Sequence, residues 1–399
     1  MNEIRLTNQL DMETYGKILL IAMPIFLMLV LFEKWYGWKT GKDTVRIMDM
    51  ISSLSSGVTN VTKDVLGLSV AIISYGWMYE NLALIHIQEN IWVYIIAFLA
   101  LDFSGYCIHR IQHTTNVFWN AHIIHHSSEE FNLACAFLFI QFWYHTQLIG
   151  KMGFLEKIIV TPSHHRVHHA INPEYIDKNY SQVFIIWDKM FGTFQEEQDH
   201  IPPVYGITRP VATWNPVKIN FQHMFLLISD AWRTKNWNDK LRIWFMPTGW
   251  RPADVAEKYP VYKIEDVYDF KKYNPESSKA LQTWSFIQLF ILLSFISYLF
   301  GNLASIGSPG IFLYGLFIFA YIYAMTELMD GNPIAYVWEG IKLVIGVYLI
   351  INTNGWFGAE KLFQYIPHIV FAYLLAAMYL SINLSIKRKV SVPSERSVS

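Results

Sequence analysis

The sequence predicts an all-α fold, a multi-pass transmembrane helical bundle that carries a histidine-rich lobe, and three observations predict it. Of its 399 residues 53% are hydrophobic and only 16% charged, with a mean hydropathy of +0.24, which is too apolar for an ordinary soluble protein. The apolar residues fall in runs close to the length, about 20 residues, that a helix needs to cross a hydrocarbon core. The histidines, by contrast, crowd one stretch of the chain.

Taken in order, Asn2 to Thr14 is polar and mildly acidic, so no cleavable signal peptide is recognisable, and the first apolar run, Ile18 to Phe32, is expected to remain as a membrane anchor. Trp35-Tyr36-Gly37-Trp38 follows it, where amphipathic rings suit the headgroup layer. Val65 to Tyr79 and Ile91 to Leu101 are weaker candidate spans. Residues 1–150 thus form an N-terminal membrane part, and 151–280 a polar stretch punctuated by Ile201-Pro202-Pro203 and Met246-Pro247-Thr248-Gly249, expected to be an extramembrane lobe in water. Residues 281–399 hold four further runs, Trp284 to Phe300, Ile311 to Leu328, Ile334 to Ile351 and Ile366 to Leu384, and a basic tail. Glu339 and Lys342 stand i, i+3 inside one of these runs and are expected to form a structural ion pair, because lone charges there are costly. Glu327 and Asp330 are expected to mark a helix end near Gly331-Asn332-Pro333.

Lys387-Arg388-Lys389 directly follows the last run and favours the cytoplasmic side. Four spans return the chain to the side from which it started, so the lobe is expected to be cytoplasmic too. A net charge of −1 suggests neither nucleic acid nor an acidic partner. Cys107 and Cys135 sit in apolar surroundings and read as inert thiols with no disulfide implied.

Ten of the fourteen histidines lie between His109 and His169, a local excess of the kind that signals metal binding. His109 and His113 are i and i+4, one above the other on a helix face. His122, His125 and His126 form H-x-x-H-H, and His165, His168 and His169 repeat it. These eight imidazoles, with His145 as a possible ninth, exceed one tetrahedral zinc site and point to two metals. Imidazole alone does not choose among zinc, copper, iron and nickel. Asp102, Glu129, Glu130 and Asp177 are close enough in sequence to fix imidazole tautomers by hydrogen bonds. His164 falls outside the three-residue pattern, and the isolated His86, His200, His223 and His368 read as structural or solvated.

The histidine pattern resembles that of the fatty acid hydroxylase and sterol desaturase superfamily, whose boxes are H-x-x-x-H, H-x-x-H-H and H-x-x-H-H. The resemblance is nearest to its alkylglycerol monooxygenase branch. It rests on His109-Arg110-Ile111-Gln112-His113, His122 to Glu129, Gln141 to Thr146, Thr161 to His169, Asp177-Lys178-Asn179-Tyr180 and Ile186 to Phe194. The resemblance implies an O2-dependent monooxygenase with two iron ions held by these histidines as the catalytic centre. It further implies an alkylglycerol lipid substrate, cleavage of its ether bond to a fatty aldehyde and a glycerol derivative, and tetrahydrobiopterin as electron source. Other readings stay open: a sterol, sphingolipid or carotenoid hydroxylase or desaturase fed by a redox protein, a catalytically impaired relative, or a histidine-rich metal transporter. The last lacks the internal repeats and mid-membrane ligands expected of it.

The chain departs from this branch in two places. Members usually carry a largely apolar segment of a few dozen residues between stretches matching Phe131 to Phe137 and Phe139 to Thr146, whereas here Ala136-Phe137-Leu138 runs straight across the join. Two crossings need about 40 residues, so Leu133 to Tyr144 is expected to form a re-entrant or interfacial helix, with His145 displaced from the metals. Thr114 also follows His113 where animal members tend to have Glu, a change that touches the expected pterin contacts.

Overall fold

The computed structural model describes residues 2–85, 87–136 and 141–391. His86, residues 137–140 in the short join, and residues 392–399 of the tail lie outside the described residues. Among the described residues the regular structure is helical, with isolated bridges pairing Ile159 with Phe184 and Ala170 with Tyr205. The helices are α1 (Asn2–Thr40), α2 (Ile47–Leu82), α3 (Ile91–Thr114), α4 (Asn116–Trp119), α5 (Ile123–His126), α6 (Pro162–His168) and α7 (Ile186–Phe191). They continue as α8 (Pro216–Arg233), α9 (Trp237–Arg242), α10 (Ala253–Lys258), α11 (Lys279–Gly301), α12 (Leu303–Asp330), α13 (Ala335–Asn352) and α14 (Ile366–Ser391).

Among the described residues six segments are long and apolar enough to cross a membrane: Gly16–Thr40, Ile91–Thr114, Lys279–Gly301, Leu303–Asp330, Ala335–Asn352 and Ile366–Ser385. They bear out the strong runs of the sequence and promote the weak one at Ile91, while Val65 to Tyr79 becomes part of the long α2. The architecture is that of a multi-pass membrane protein. Helices α1, α2, α11 and α12 share one apolar core built from Leu19, Ile51, Leu54, Leu289, Ile296 and Phe317 among others. At the α1–α11 crossing the backbones come so close that a Cβ on Gly16 would stand 2.1 Å from the Phe300 carbonyl oxygen.

Helix α3 is built inside out. Asn90 caps its start by accepting from the Trp92 and Val93 amides. Its buried residues are Asp102, Tyr106, His109 and His113, spaced i, i+4, i+7 and i+11 as one helical stripe. Ile91, Trp92, Ile96, Phe98, Leu101 and Ile108 stand exposed around it. In water such a helix would be unstable; in hydrocarbon, with its polar stripe turned inward, it is stable.

The end of α12 fastens the polar lobe to the bundle. Glu327 accepts from Asn215 Nδ2 at 2.8 Å and pairs with Lys218, and Asp330 accepts from the Trp214 amide at 2.7 Å and from Thr213 and Tyr273. Gly331 closes the helix in the left-handed conformation, φ 72°. Deep in the bundle the Glu339–Lys342 ion pair is fully buried, and the Lys342 ammonium also donates to Tyr373 and lies 4.3 Å from the Tyr321 ring centre. Removing either partner leaves a buried charge with no counter-charge. Glu339→Ala or Lys342→Ala is expected to cost about 3–5 kcal/mol of stability, while Glu339→Gln with Lys342→Met should recover most of it; thermal unfolding in detergent reads both.

Candidate metal centre

Three backbone pieces and one turn bring the histidines together. His109 and His113 hang from the last turns of α3, His122 precedes α5 while His125 and His126 end it, His165 and His168 lie on α6 with His169 at its C-cap, and His145 ends the short turn Phe142–Tyr144. Their nitrogens sort into two groups, each with all ligand atoms within 4.8 Å of one another. One is His109, His113, His122, His126 and His168; the other is His125, His145, His165 and His169. Each H-x-x-H-H box therefore divides between the groups. Residues i and i+4 share a helix face and go together, His122 with His126 and His165 with His169, while the residue at i+3 turns to the other group.

The arrangement fits metal ions. Within the groups the Nε2 atoms of His109 and His122 are 2.9 Å apart, of His126 and His168 3.1 Å, of His145 and His165 2.8 Å, of His165 and His169 3.0 Å and of His125 and His145 3.3 Å. A metal at about 2.0–2.1 Å from each nitrogen, with ligand angles between octahedral and tetrahedral, sets neighbouring nitrogens at about 2.8–3.4 Å. His113 Nε2 is buried and has no hydrogen-bond partner. Burial first, and next the charge of neighbouring imidazoles, holds His122, His125, His126, His165, His168 and His169 well below the usual imidazole pKa, and burial brings His145 down to about 3. They are therefore neutral, the form that ligates.

Backbone carbonyls fix which nitrogen faces inward. A carbonyl oxygen only accepts, so the Nδ1 atoms that meet the Tyr180, Lys178 and Gln141 carbonyls at 2.6, 2.9 and 2.8 Å carry the protons of His109, His168 and His145. Their Nε2 lone pairs consequently point into the centre. Asp177 stands 3.6 Å from His113 Nδ1. The carbonyls at 178 and 180 come from a loop with left-handed residues at Asp177 and Asn179, φ 59° and 56°. Asp188 holds this loop, accepting from the Tyr180 and Ser181 amides at 2.8 Å each and from Thr193 Oγ1 at 2.6 Å. Asn179 completes the anchor, donating to the His164 and Gln195 carbonyls.

The remaining expectations divide. His145 is not displaced: it is fully buried within the second group, a correction that follows from local anchoring. Glu33 accepts from the Leu133 amide at 2.7 Å and Thr146 Oγ1 at 2.5 Å, and Arg166, paired with Glu197, donates to the Thr146 and Ile149 carbonyls. The described parts of Leu133 to Tyr144 are two single 3₁₀ turns rather than a re-entrant or interfacial helix. Asp102 does not orient an imidazole; its carboxylate accepts from the Val183 and Phe184 amides and the Trp187 indole. Glu129 accepts from the Tyr273 amide, and Glu130 pairs with Arg46 and Lys272. Both bind the lobe to its surroundings. Thr114 is exposed and turns its hydroxyl back to the Arg110 carbonyl. His164 is buried outside both groups, closing a capping box with Thr161. Cys135 is the inert thiol expected, pushed by burial up to about 12.

Reading the sequence did not single out Asp188, Glu33 or Arg166 for a role, whereas His223 is the structural histidine expected, buried with its Nε2 3.2 Å from the Asn116 carbonyl. A cavity of about 520 Å³ adjoins the centre, walled by His113, His126, His168 and His169 on one side and by His223 and Arg209 among others.

These contacts set expected outcomes for elemental analysis and chelator competition. His145→Ala should lose the metal of the second group, whereas His164→Gln should leave metal content unchanged. Asp188→Ala, by releasing the loop behind His109 and His168, should weaken binding at the first group about 10–100-fold.

Residues 94–140 and 133–193 match the fatty acid hydroxylase family. The chain is 32% identical to the alkylglycerol monooxygenase of Homo sapiens across 82% of its own length and 81% of that protein's. It is 31% identical to the alkylglycerol monooxygenase of Xenopus tropicalis, across 87% and 84%, and 30% identical to that of Danio rerio, across 81% and 80%. No solved structure matches. Identity sustained over most of both chains, with nine convergent imidazoles inside the matched stretch, means that the chain belongs to the alkylglycerol monooxygenase family among the fatty acid hydroxylases.

Proposed function

We propose that this chain is an O2-dependent membrane monooxygenase that opens the ether bond of alkylglycerols at a di-iron centre, with tetrahydrobiopterin as electron donor. The observation that carries the reading is a pair of adjacent imidazole groups walling a cavity large enough for a lipid head and the start of its chain. Relatives bearing the name alkylglycerol monooxygenase support the substrate. Iron is chosen over zinc because zinc has no redox chemistry. When bound, two irons supply the reduction of O2, and the protein supplies position and surroundings.

The chain's own residues would do the following. His109, His113, His122, His126 and His168 hold one ion; His125, His145, His165 and His169 hold the other. Ile171, Ile176, Ile207 and Leu226 offer an apolar wall for the methylenes beside the ether, and Gln222, Ser229 and Thr248 offer polar groups for glycerol hydroxyls. In the overall reaction one oxygen atom of O2 enters the C–H bond next to the ether oxygen. The other leaves as water with two electrons and two protons from the tetrahydropterin. The hemiacetal then passes its hydroxyl proton to the ether oxygen as that C–O bond breaks, giving fatty aldehyde and glycerol. A cytoplasmic position for the centre, at the junction of the membrane part (1–150), the lobe (151–280) and the four-span part (281–399), is supported by the basic stretch Lys387-Arg388-Lys389 just past the apolar span at the end of α14.

Iron-loaded protein given an alkylglycerol, tetrahydrobiopterin and ¹⁸O2 is expected to release fatty aldehyde carrying ¹⁸O, retained by immediate borohydride reduction to the alcohol. His126→Ala should fall to background. Turnover with a protein redox donor but not with the pterin would instead assign the chain to the hydroxylase or desaturase reading.

A further inference from the structure

The lobe carries an apolar face that none of the described residues covers. On α8, Phe221, Phe225, Ile228 and Trp232 form an exposed stripe at i, i+4, i+7 and i+11. Beyond the turn the stripe continues on α9 and its exit, with Trp237 73%, Leu241 71% and Phe245 71% exposed and Trp232 itself 85% exposed. The opposite stripe of α8, Ile219, His223, Leu227 and Asp230, is buried in the lobe. Helix α8 thus buries one stripe in the lobe and still exposes an apolar stripe on another side, which an ordinary water-facing helix does not.

The N-terminal end and the middle of α8 are tied to ends of membrane-crossing helices. Asn215, its N-cap, and Lys218 bind Glu327 in the last turn of α12. His223 meets the carbonyl of Asn116, two residues beyond the end of α3. The end of a membrane-crossing helix lies at the headgroup layer, so α8 runs at that depth. Positive charge suits the same place: Arg233 and Lys235 are exposed at the α8–α9 turn, and Lys240 donates to the Ala231 and Trp232 carbonyls beside Trp237. Aromatic rings with flanking cations are what the headgroup layer favours.

A third side of α8 lines the metal cavity, through Gln222, His223, Leu226, Ser229 and Arg233, and Phe225 belongs both to that lining and to the exposed stripe. We infer that α8 and α9 are a monotopic element lying in the headgroup layer of the bilayer, and that an amphiphile passes beside Phe225 from the leaflet to the metal centre. The occupant of the apolar face is the lipid surface. The passage rests on the function proposed above; the membrane contact does not.

The test uses full-length protein in phosphatidylcholine nanodiscs, in a Cys107→Ser background with Cys135 buried. Trp232→Cys and Leu241→Cys, labelled with an environment-sensitive nitrobenzoxadiazole dye, should be quenched by lipids doxylated near the headgroup and be at least about threefold less accessible to aqueous iodide than a label at Asp199→Cys in the polar loop. Iodide access equal to that of the Asp199 label overturns the membrane contact, whether or not any ether is cleaved. In the second arm, Trp232→Ser with Leu241→Ser should slow cleavage of a long-chain alkylglycerol presented in vesicles about tenfold while leaving a short, water-soluble alkylglycerol unaffected. Equal loss on both substrates overturns the passage. Cleavage of neither by the unmutated protein overturns the ether-cleaving function alone, leaving the label result to decide the membrane contact.

Discussion

The constraint on which the rest depends is that nine imidazoles, eight of them buried and His122 half-buried, converge their nitrogens on two small volumes. Nitrogen lone pairs about 3 Å apart repel unless a proton or a cation lies between them, and protons are disfavoured by burial. Metal ions would resolve this, and the surrounding contacts keep the rings from rotating away. Nδ1 protons of His109, His145 and His168 are taken up by backbone carbonyls, so these rings cannot turn without losing a buried hydrogen bond. The carbonyls in turn need a rigid backbone, which Asp188 and Asn179 provide for the 178–180 loop. Tyr106 then fastens the same region to α3 through Thr193. The strength with which these groups would hold metal is therefore distributed into residues outside them.

The second constraint is the bilayer. A histidine pair on α3 is admissible only because its polar stripe is covered by the lobe, while its other sides face hydrocarbon. Asp102, three turns from His113 on that stripe, takes the amides of Val183 and Phe184 and the indole of Trp187. A carboxylate in this position holds the lobe against the membrane helix and is satisfied by it. The lobe and α3 stabilise each other: without the lobe α3 would expose Asp102 to lipid, and without α3 the first metal group would lack two ligands.

Much of this was legible in the sequence. Span positions follow from apolar length, which needs no tertiary information, and the two boxes follow from helical spacing, which is local. The division of each box between two groups was less legible, since i+3 and i+4 both lie on the face of i and only their separation of about 100° around the axis lets them turn to different groups. What was not legible depends on contacts between distant segments. Asp102 and Glu129 lie near the histidines in sequence but bind 183–187 and Tyr273, and nothing local announces those partners. Asp188 is the converse: it is 19 residues beyond His169, carries no metal-binding pattern, and supports the centre through backbone amides. Reading the lobe as wholly aqueous rested on its charges. The apolar stripe of α8 escaped because Lys218, Gln222, Ser229, Asp230 and Arg233 interrupt it in one dimension though not on the helix surface.

The short join shows why a ligand can survive a change in length beside it. Both ends of the join are held by one side chain, Glu33 on α1, whose two carboxylate oxygens take the Leu133 amide and the Thr146 hydroxyl. The ends are thereby brought to opposite sides of a single carboxylate, whatever lies between them. Gln147 adds a second tie by donating to the Glu130 and Phe131 carbonyls. A loop whose ends are fixed together pays for added length only through a slowly growing closure entropy, so the length of the join can vary while Gln141 and His145, close to the clamp, keep their places in the second histidine group. The family match bears the same mark: its two stretches overlap on residues 133–140, where the pattern ends and resumes. Topological reasoning that set crossing length against residue count assumed that the join itself positions His145. Position comes from Glu33 on α1 and Arg166 on α6 together with the Gln141 carbonyl close to His145, so the second histidine group is closed by contacts at the ends of the join rather than by its length.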